Sequence, residues 1–222
     1  MAHDHDHDDF DQEPVRGLPE TLPAGERILW QVAPSARALA RDALRVRWVG
    51  GYFAALFLWR TIAASAGMPV AAAAWHSAFY LVLGLAAVAL LGAVAWCQAR
   101  ATVYTITDRR VVMRVGAALT MTLQFPFRWI AAADLALASD GTGTVALRTA
   151  GRTRFSLLVL WPHARPWRAN PAQPALRCIP DAAAVARILS EAVEAHGTRP
   201  VVVAAPAPSR RPSPGAMPIP AE

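Results

Sequence analysis

Six histidines, two cysteines and sixteen acidic residues are the groups in this chain that could ligate, titrate or catalyse. In His3-Asp4-His5-Asp6-His7-Asp8 an imidazole recurs at every second position, a spacing able to chelate a divalent metal. The same stretch has Phe10 as its one sizeable apolar side chain, so residues 1–13 cannot bury enough surface to order themselves and read as a disordered acidic tail. His76 stands beside Trp75 with Ala72 four residues before it; an Ala one helical turn from a His leaves room for a flat macrocycle, and neutral imidazole is a usual axial ligand. Four of the five residues before His76 are Ala, however, so composition alone also produces that spacing. In Trp161-Pro162-His163-Ala164-Arg165-Pro166-Trp167-Arg168 the side chains of Trp161, His163, Arg165, Trp167 and Arg168 combine rigid aromatic area with forked cations, the types that dominate protein interfaces. The two prolines lower the cost of ordering this stretch on binding, and it reads as a partner-binding surface, with a Trp plug at one end of a core as the alternative. Arg109 and Arg110, at a polar turn of a bilayer-tethered domain, could steady it on anionic lipid headgroups or be solvated.

Catalytic constellations do not assemble. Between residues 100 and 179 the acids are Asp108, Asp134 and Asp140, each near a turn or strand end, which offers no general acid/base pair. His76, His163 and His196 make no triad, and Gly141-Thr142-Gly143 lacks the glycines and the following Lys of a phosphate loop. Cys97 and Cys178 have no Cys or His at zinc spacing and are too few for a disulfide scaffold. The expectation is a protein that is no enzyme, with no catalytic residue and no metal site.

The elements that must hold these residues follow from composition. The chain of 222 residues is 55% hydrophobic and only 17% charged, against about 25% charged in soluble domains, so part of it belongs in lipid. All 22 basic residues are Arg, and with six of the sixteen acids confined to residues 1–13, the rest carries 22 Arg against ten acids, a charge of +12. A basic body suits anionic headgroups, and nothing points to nucleic acid. Residues 61–99 contain no charge, and residues 71–96 exceed the ~20 residues needed to span a hydrocarbon core. Residues 48–66 are apolar except for Arg60, which lies past the midpoint and can snorkel. Gly67-Met68-Pro69 turns between them. Arg37, Arg41, Arg45 and Arg47 precede the pair and Arg100, Arg109, Arg110 and Arg114 follow it, so a hairpin over residues 46–99 puts both basic flanks in the cytoplasm. Gly84, Ala87, Gly92 and Ala93 offer a small-residue face for neighbouring helices.

Beyond residue 100 the pattern changes to two-residue alternation. Thr102-Val103-Tyr104-Thr105-Ile106-Thr107, Val111-Val112-Met113, residues 119–125, 135–137 and 145–149, and the apolar run 155–161 read as strands, with Asp108-Arg109, Gly116, Asp140-Gly141 and Gly151 as turns. A helix starts at Pro180-Asp181, places Val185, Ile188, Leu189, Ala192 and Val193 on one stripe, and stops at Gly197. The fold class is therefore an α+β membrane protein: a two-helix transmembrane hairpin plus an antiparallel β-domain over residues 100–197 with a C-terminal helix. The Pro/Ala-rich residues 198–222 read as a flexible tail.

Strands closed by one amphipathic helix and joined to a membrane hairpin resemble the bacterial pleckstrin-homology-like domains found beside membrane spans. Tyr104-Thr105-Ile106-Thr107-Asp108-Arg109-Arg110-Val111-Val112 is similar to that family's first hairpin. Pro23-Ala24-Gly25-Glu26-Arg27-Ile28-Leu29-Trp30 is similar to an upstream strand that joins the same domain, which makes residues 14–45 a cytoplasmic segment. Pro14-Val15-Arg16-Gly17-Leu18-Pro19-Glu20, residues 22–31 and the Trp161 to Arg168 motif together resemble the assembly proteins of the purple-bacterial photosynthetic reaction centre, over residues 14–196. That resemblance implies a non-catalytic factor of the cytoplasmic membrane, multi-pass, with both termini and the β-domain in the cytoplasm. Its implied partners are reaction-centre or core light-harvesting subunits, with anionic lipids and a second copy of the chain also open. In this setting the His76 spacing resembles the bacteriochlorophyll-binding spacing of light-harvesting helices, and no other cofactor is implied. A general lipid-binding or stress-related membrane module is the alternative, although it would need neither the motif at residues 14–31 nor that at 161–168.

Overall fold

The computed structural model describes residues 15–117, 120–150, 156–169, 172–197 and 201–202. The His/Asp alternation and most of the Pro/Ala-rich tail lie outside the described residues.

α3 (Val70–Ala101) is apolar on all sides, and its 32 residues rise about 48 Å at 1.5 Å each. With a mean hydropathy of 2.4, it is among the described residues the one helix long and apolar enough to cross a membrane. α2 (Val46–Ser65) has 20 residues, about 30 Å of helix, but Arg47, Arg60, two Trp and a Tyr keep it below that level. The expected pair of spans is thus one such helix with a second, less apolar helix packed against it. Pro69 caps the start of α3 after a short turn. The two helices run antiparallel: Gly84 faces Phe53, and Gly50 faces Val88 three residues earlier on α2 and four later on α3. A Cβ on Gly84 would fall 2.6 Å from Phe53 Cβ. Gly84, expected on a face for partner helices, is therefore spent inside the pair, whereas a Cβ on Gly92 would meet nothing within 4 Å.

Outside the helices the β-branched runs pair as two sheets. β1 (Ile28–Val32), which precedes the helices in sequence, adds to the edge of β2 (Val103–Thr107), followed by β3 (Arg110–Val115) and β4 (Met121–Pro126), all antiparallel. A 3₁₀ turn at Phe127–Trp129 leads into β5 (Ile130–Leu137), which pairs with β6 (Gly143–Thr149). After the single helical turn α4 (Leu157–Leu160), β7 (Ala164–Ala169) and β8 (Ala172–Ile179) complete the second sheet in the order β7-β8-β6-β5. The run at 155–161 read as a strand is thus largely α4, with residue 155 outside the described residues. Val201–Val202 adds a parallel strand, β9, beside β5, so the segment after residue 198 is not tail throughout.

Tyr104, Ile106, Met113, Phe125 and Phe127 from the first sheet meet Val145, Leu147 and Leu176 from the second, and α5 (Ala182–Ala195) closes the core with Val185, Leu189 and Val193. Each such side chain contributes about 1.5–3 kcal/mol by leaving water. The outer face of β2 is buried too, because the N-terminal turn at Val15 to Leu18 lies over it. Gly17 has φ +82° and comes so close that a Cβ would sit 2.6 Å from Val103 Cγ1; both the backbone angle and the approach demand glycine. Gln31 Nε2 ties this turn down by donating to Arg16 O and Thr105 Oγ1, each at 2.8 Å.

Candidate functional site

The helices and the β-domain meet in a second, smaller core. α1 (Ala36–Ala38) continues into a wide helical turn at Leu39–Ala43, and from these Ala38 and Leu39 pack with Leu44, Ala95 near the end of α3, and Cys178 of β8. Ser35 caps α1, its Oγ accepting from Ala38 N at 3.4 Å, while its own N–H donates to Cys178 O at 2.8 Å. Burial pushes the Cys178 thiol up to about 11, so it stays protonated and packs as a small apolar group.

Beside this core opens a cleft of about 850 Å³ lined by Arg41, Arg45, Arg47, Trp48, Arg177 and the β5–β6 turn. Arg41 is compensated: it donates to Asp42 at 2.7 and 2.8 Å and to Asp140 at 2.5 Å, and these bonds raise its own pKa and hold the Asp140 carboxyl well below the usual range. Arg45 starts α2 in the left-handed conformation without a capping side-chain bond, and the first turn of α2 contains no acid. The positive end of that helix dipole therefore faces the cleft without an acidic counterpart from its own sequence. Arg177 is only 7% exposed. Its Nη1 donates to Pro162 O at 3.0 Å and its Nη2 to Asp42 O at 3.2 Å, its buried Nε has no hydrogen-bond partner, and among the described residues no carboxylate pairs with it. A second cleft of about 450 Å³ shares Asp42, Arg45, Pro166 and Arg177 and adds Trp161 and Arg165, so Arg177 stands in the wall between the two.

Behind that wall lies a closed polar network. His163 is 0% exposed, with Nδ1 2.6 Å from Tyr104 Oη and Nε2 3.1 Å from Thr102 Oγ1. Tyr104 Oη accepts from Arg177 N at 3.3 Å, which leaves its proton for Nδ1 and puts the imidazole proton on Nε2, facing Thr102. Burial, with the Arg177 charge adding to it, lowers His163 to about 3, and burial lifts the Tyr104 hydroxyl well above its ordinary value. Both groups are neutral at physiological pH.

The expected site residues fare unevenly against this geometry. His163 is a buried clamp, because its two ring nitrogens find partners only inside the domain. Trp161 is 49% exposed and faces outward at the second cleft. Arg165 is half-buried and turned onto Asp134 and Gln173, while the side chains of Trp167 and Arg168 lie outside the described residues. Arg110 is engaged within the protein: its guanidinium forks onto Glu26 at 2.8 and 2.9 Å and onto Gln124 at 2.7 Å. Arg109 is exposed at the other end of β2 from α3, a strand's length away. His76 and Ala72 are exposed on α3, and Ser77 is the neighbour turned inward. Among the described residues no three His, Cys, Asp or Glu side chains could hold a metal ion. The cleft joins the basic flank ahead of α2, visible in the sequence as a run of Arg, to Arg177, which lies some 130 residues later and carried no signal of its own.

Residues 44–193 match the bacterial PH domain family. Over 208 residues the chain is 46% identical to a protein described as an uncharacterized 23.7 kDa protein in the puhA 5′ region of Rhodobacter capsulatus, covering 90% of this chain and 94% of that one. No solved structure matches.

Proposed function

Since the chain belongs to the bacterial PH domain family, we propose that it is a non-catalytic membrane assembly factor of the PuhB type, serving the photosynthetic reaction centre and its core light-harvesting complex. The observation that carries this reading is the near-full-length relative encoded in the puhA 5′ region, a neighbourhood that points to photosynthesis. The geometry supports it in two ways. α2 and α3 form an apolar pair whose outer side chains, among them Trp59, Trp75, Phe79 and Leu85, are exposed along its length, as suits helices embedded side by side in the cytoplasmic membrane. The end of the pair is fixed to the PH domain by the core around Leu39, Ala95 and Cys178, so the domain moves with the helices. In this mechanism the helices pack beside newly inserted reaction-centre or antenna helices, while the domain, with Trp161 at its outward corner, holds their cytoplasmic ends. No bond is made or broken by the chain itself.

The test is the near-infrared absorption of membranes from a strain lacking the gene, compared with its parent while photosynthetic growth is induced. Delayed or missing reaction-centre and core-antenna bands, restored by the intact gene, are the expected result. Identical spectra and accumulation kinetics would remove the assembly role and leave a general membrane-anchored PH module.

A further inference from the structure

We propose that the cleft between the start of α2 and the β5–β6 turn binds the phosphodiester headgroup of an anionic phospholipid, with Arg45, Arg47 and Arg177 as its cations and Trp48 at its membrane-side rim. The proposal rests on the reading of α2 and α3 as membrane-embedded.

Three independent features converge there. Among the described residues, Arg177 is a buried guanidinium that spends two donors on backbone carbonyls, pairs with no carboxylate and has no hydrogen-bond partner for Nε. A charge in that state calls for an anion, and Arg177 lines an open cleft through which one can come. The first turn of α2 presents backbone N–H groups with no acidic residue among them, the arrangement that favours an oxyanion. Arg45 and Arg47 flank that turn, and Trp48, 74% exposed, belongs with its amphipathic ring at the level of the headgroups. Arg41 adds little, being already held by Asp42 and Asp140. The chemistry of the site is thus a fork, a helix end and two exposed cations around a single phosphate, at the depth where the cytoplasmic leaflet supplies one. The adjoining cleft on the other side of Arg177 leaves space for the rest of a bulkier headgroup.

The full-length protein in zwitterionic detergent is titrated calorimetrically with short-chain phosphatidylglycerol, short-chain phosphatidylcholine and inorganic phosphate. Phosphatidylglycerol should bind at least about tenfold more tightly than phosphatidylcholine. Arg45→Gln with Arg47→Gln, both at exposed positions, should weaken it roughly 30-fold, from about 1 kcal/mol for each cation. Arg177→Lys keeps the charge but loses the fork, and should weaken it while far-UV circular dichroism stays unchanged. Equal affinity for the two lipids, or unaltered affinity in the variants, would overturn the proposal. Inorganic phosphate binding as tightly as phosphatidylglycerol would overturn the lipid as the ligand and leave a free-anion site. Carbonate extraction of membranes holding the parent protein separates the two readings: release into the supernatant removes the membrane reading itself, whereas an integral protein indifferent to phosphatidylglycerol removes the headgroup site alone.

Discussion

Tyr104 and His163 join β2 to the turn before β7 through hydrogen bonds that no water can replace, since both side chains are fully buried. Tyr104→Phe deletes one hydroxyl, which takes from His163 Nδ1 its partner at 2.6 Å and removes the bond from Arg177 N–H. Each orphaned buried group costs about 1–3 kcal/mol, so the variant should unfold at clearly lower denaturant concentration, and an unchanged midpoint would show that the network carries no stability. The same imidazole makes stability pH-dependent. Its pKa is about 3 in the fold and 6.5 when free, so between those values the unfolded chain binds a proton that the folded chain refuses. Stability then falls as pH drops through this window, by about 1.4 kcal/mol per pH unit from this residue, and is fully retained above about pH 6.5. Denaturant titrations of the parent and of His163→Gln between pH 4 and 7 check the sign: the variant should lose that slope. None of this was legible in the sequence, where His163 sits among Trp, Arg and Pro and looks like part of a surface. The partners that bury it, Thr102 and Tyr104, lie about sixty residues away. The ion pair of Arg110 is illegible for the same reason, since its partner Glu26 belongs to a segment that precedes both helices in the sequence.

Glycine positions separate two jobs on the helix pair that composition alone runs together. Gly84 is where α3 meets Phe53 of α2, while Gly92, half-buried, has open space where a side chain would begin. Gly84→Leu must push the helices apart or force Phe53 from its place, a change of the overpacking kind that costs about 1–3 kcal/mol or more. Gly92→Leu should leave thermal stability in detergent unaltered. If the Gly92 variant stays stable yet loses recovery of reaction-centre or antenna subunits, that face is a partner contact; if both variants melt like the parent, the packing of Gly84 against Phe53 does not hold in solution. The strands divide in a similar way. β2 and β3 announce themselves because Tyr104, Ile106, Val111 and Met113 alternate with their neighbours and face one core. β8 does not: like β2 it is buried at every position, but Ala172–Ile179 carries Ala, Gln, Pro and Arg where β2 has a β-branched and aromatic run, and its Pro174 argues locally against a strand. The apolar run 155–161 reads as a strand yet forms α4 at Leu157–Leu160, because so short a run has no period to show. Even the correctly placed start of α5 works differently from its sequence signal, since Asp181 adopts a left-handed conformation and makes no side-chain cap.

Taken whole, the chain closes its PH domain across the α2–α3 pair. β1 lies before them and β2 after them, and the turn at Gly17, the strand at Ile28–Val32 and the short helices at 36–43 all pack on elements that follow residue 94. The antiparallel pairing of α2 with α3 makes this possible, because it returns the chain to the same side and holds the β1 segment near its partner strand at high effective concentration. The β-domain is therefore not contained in residues 100–197. Cut out alone, that fragment would expose the whole hydrogen-bonding edge of β2 and uncover Val103 and Thr105 on its outer face, while Glu26 would no longer neutralise Arg110. An open, β-branched edge is an aggregation site, and the lost burial is a large share of the roughly 5–15 kcal/mol that holds a domain together. The fragment 100–197 should accordingly run as aggregates on size exclusion and give no cooperative thermal transition, whereas residues 14–202 in detergent should be monodisperse and melt cooperatively. A monomeric, cooperatively folding fragment would mean that β1 and the Gly17 turn merely decorate the domain. Aggregation of the fragment together with cooperative melting of the longer chain would mean that pairing α2 with α3 and folding the domain are one event, so that a substitution that loosens α2 from α3, such as Gly84→Leu, should also lower protease resistance at the distant β1–β2 edge.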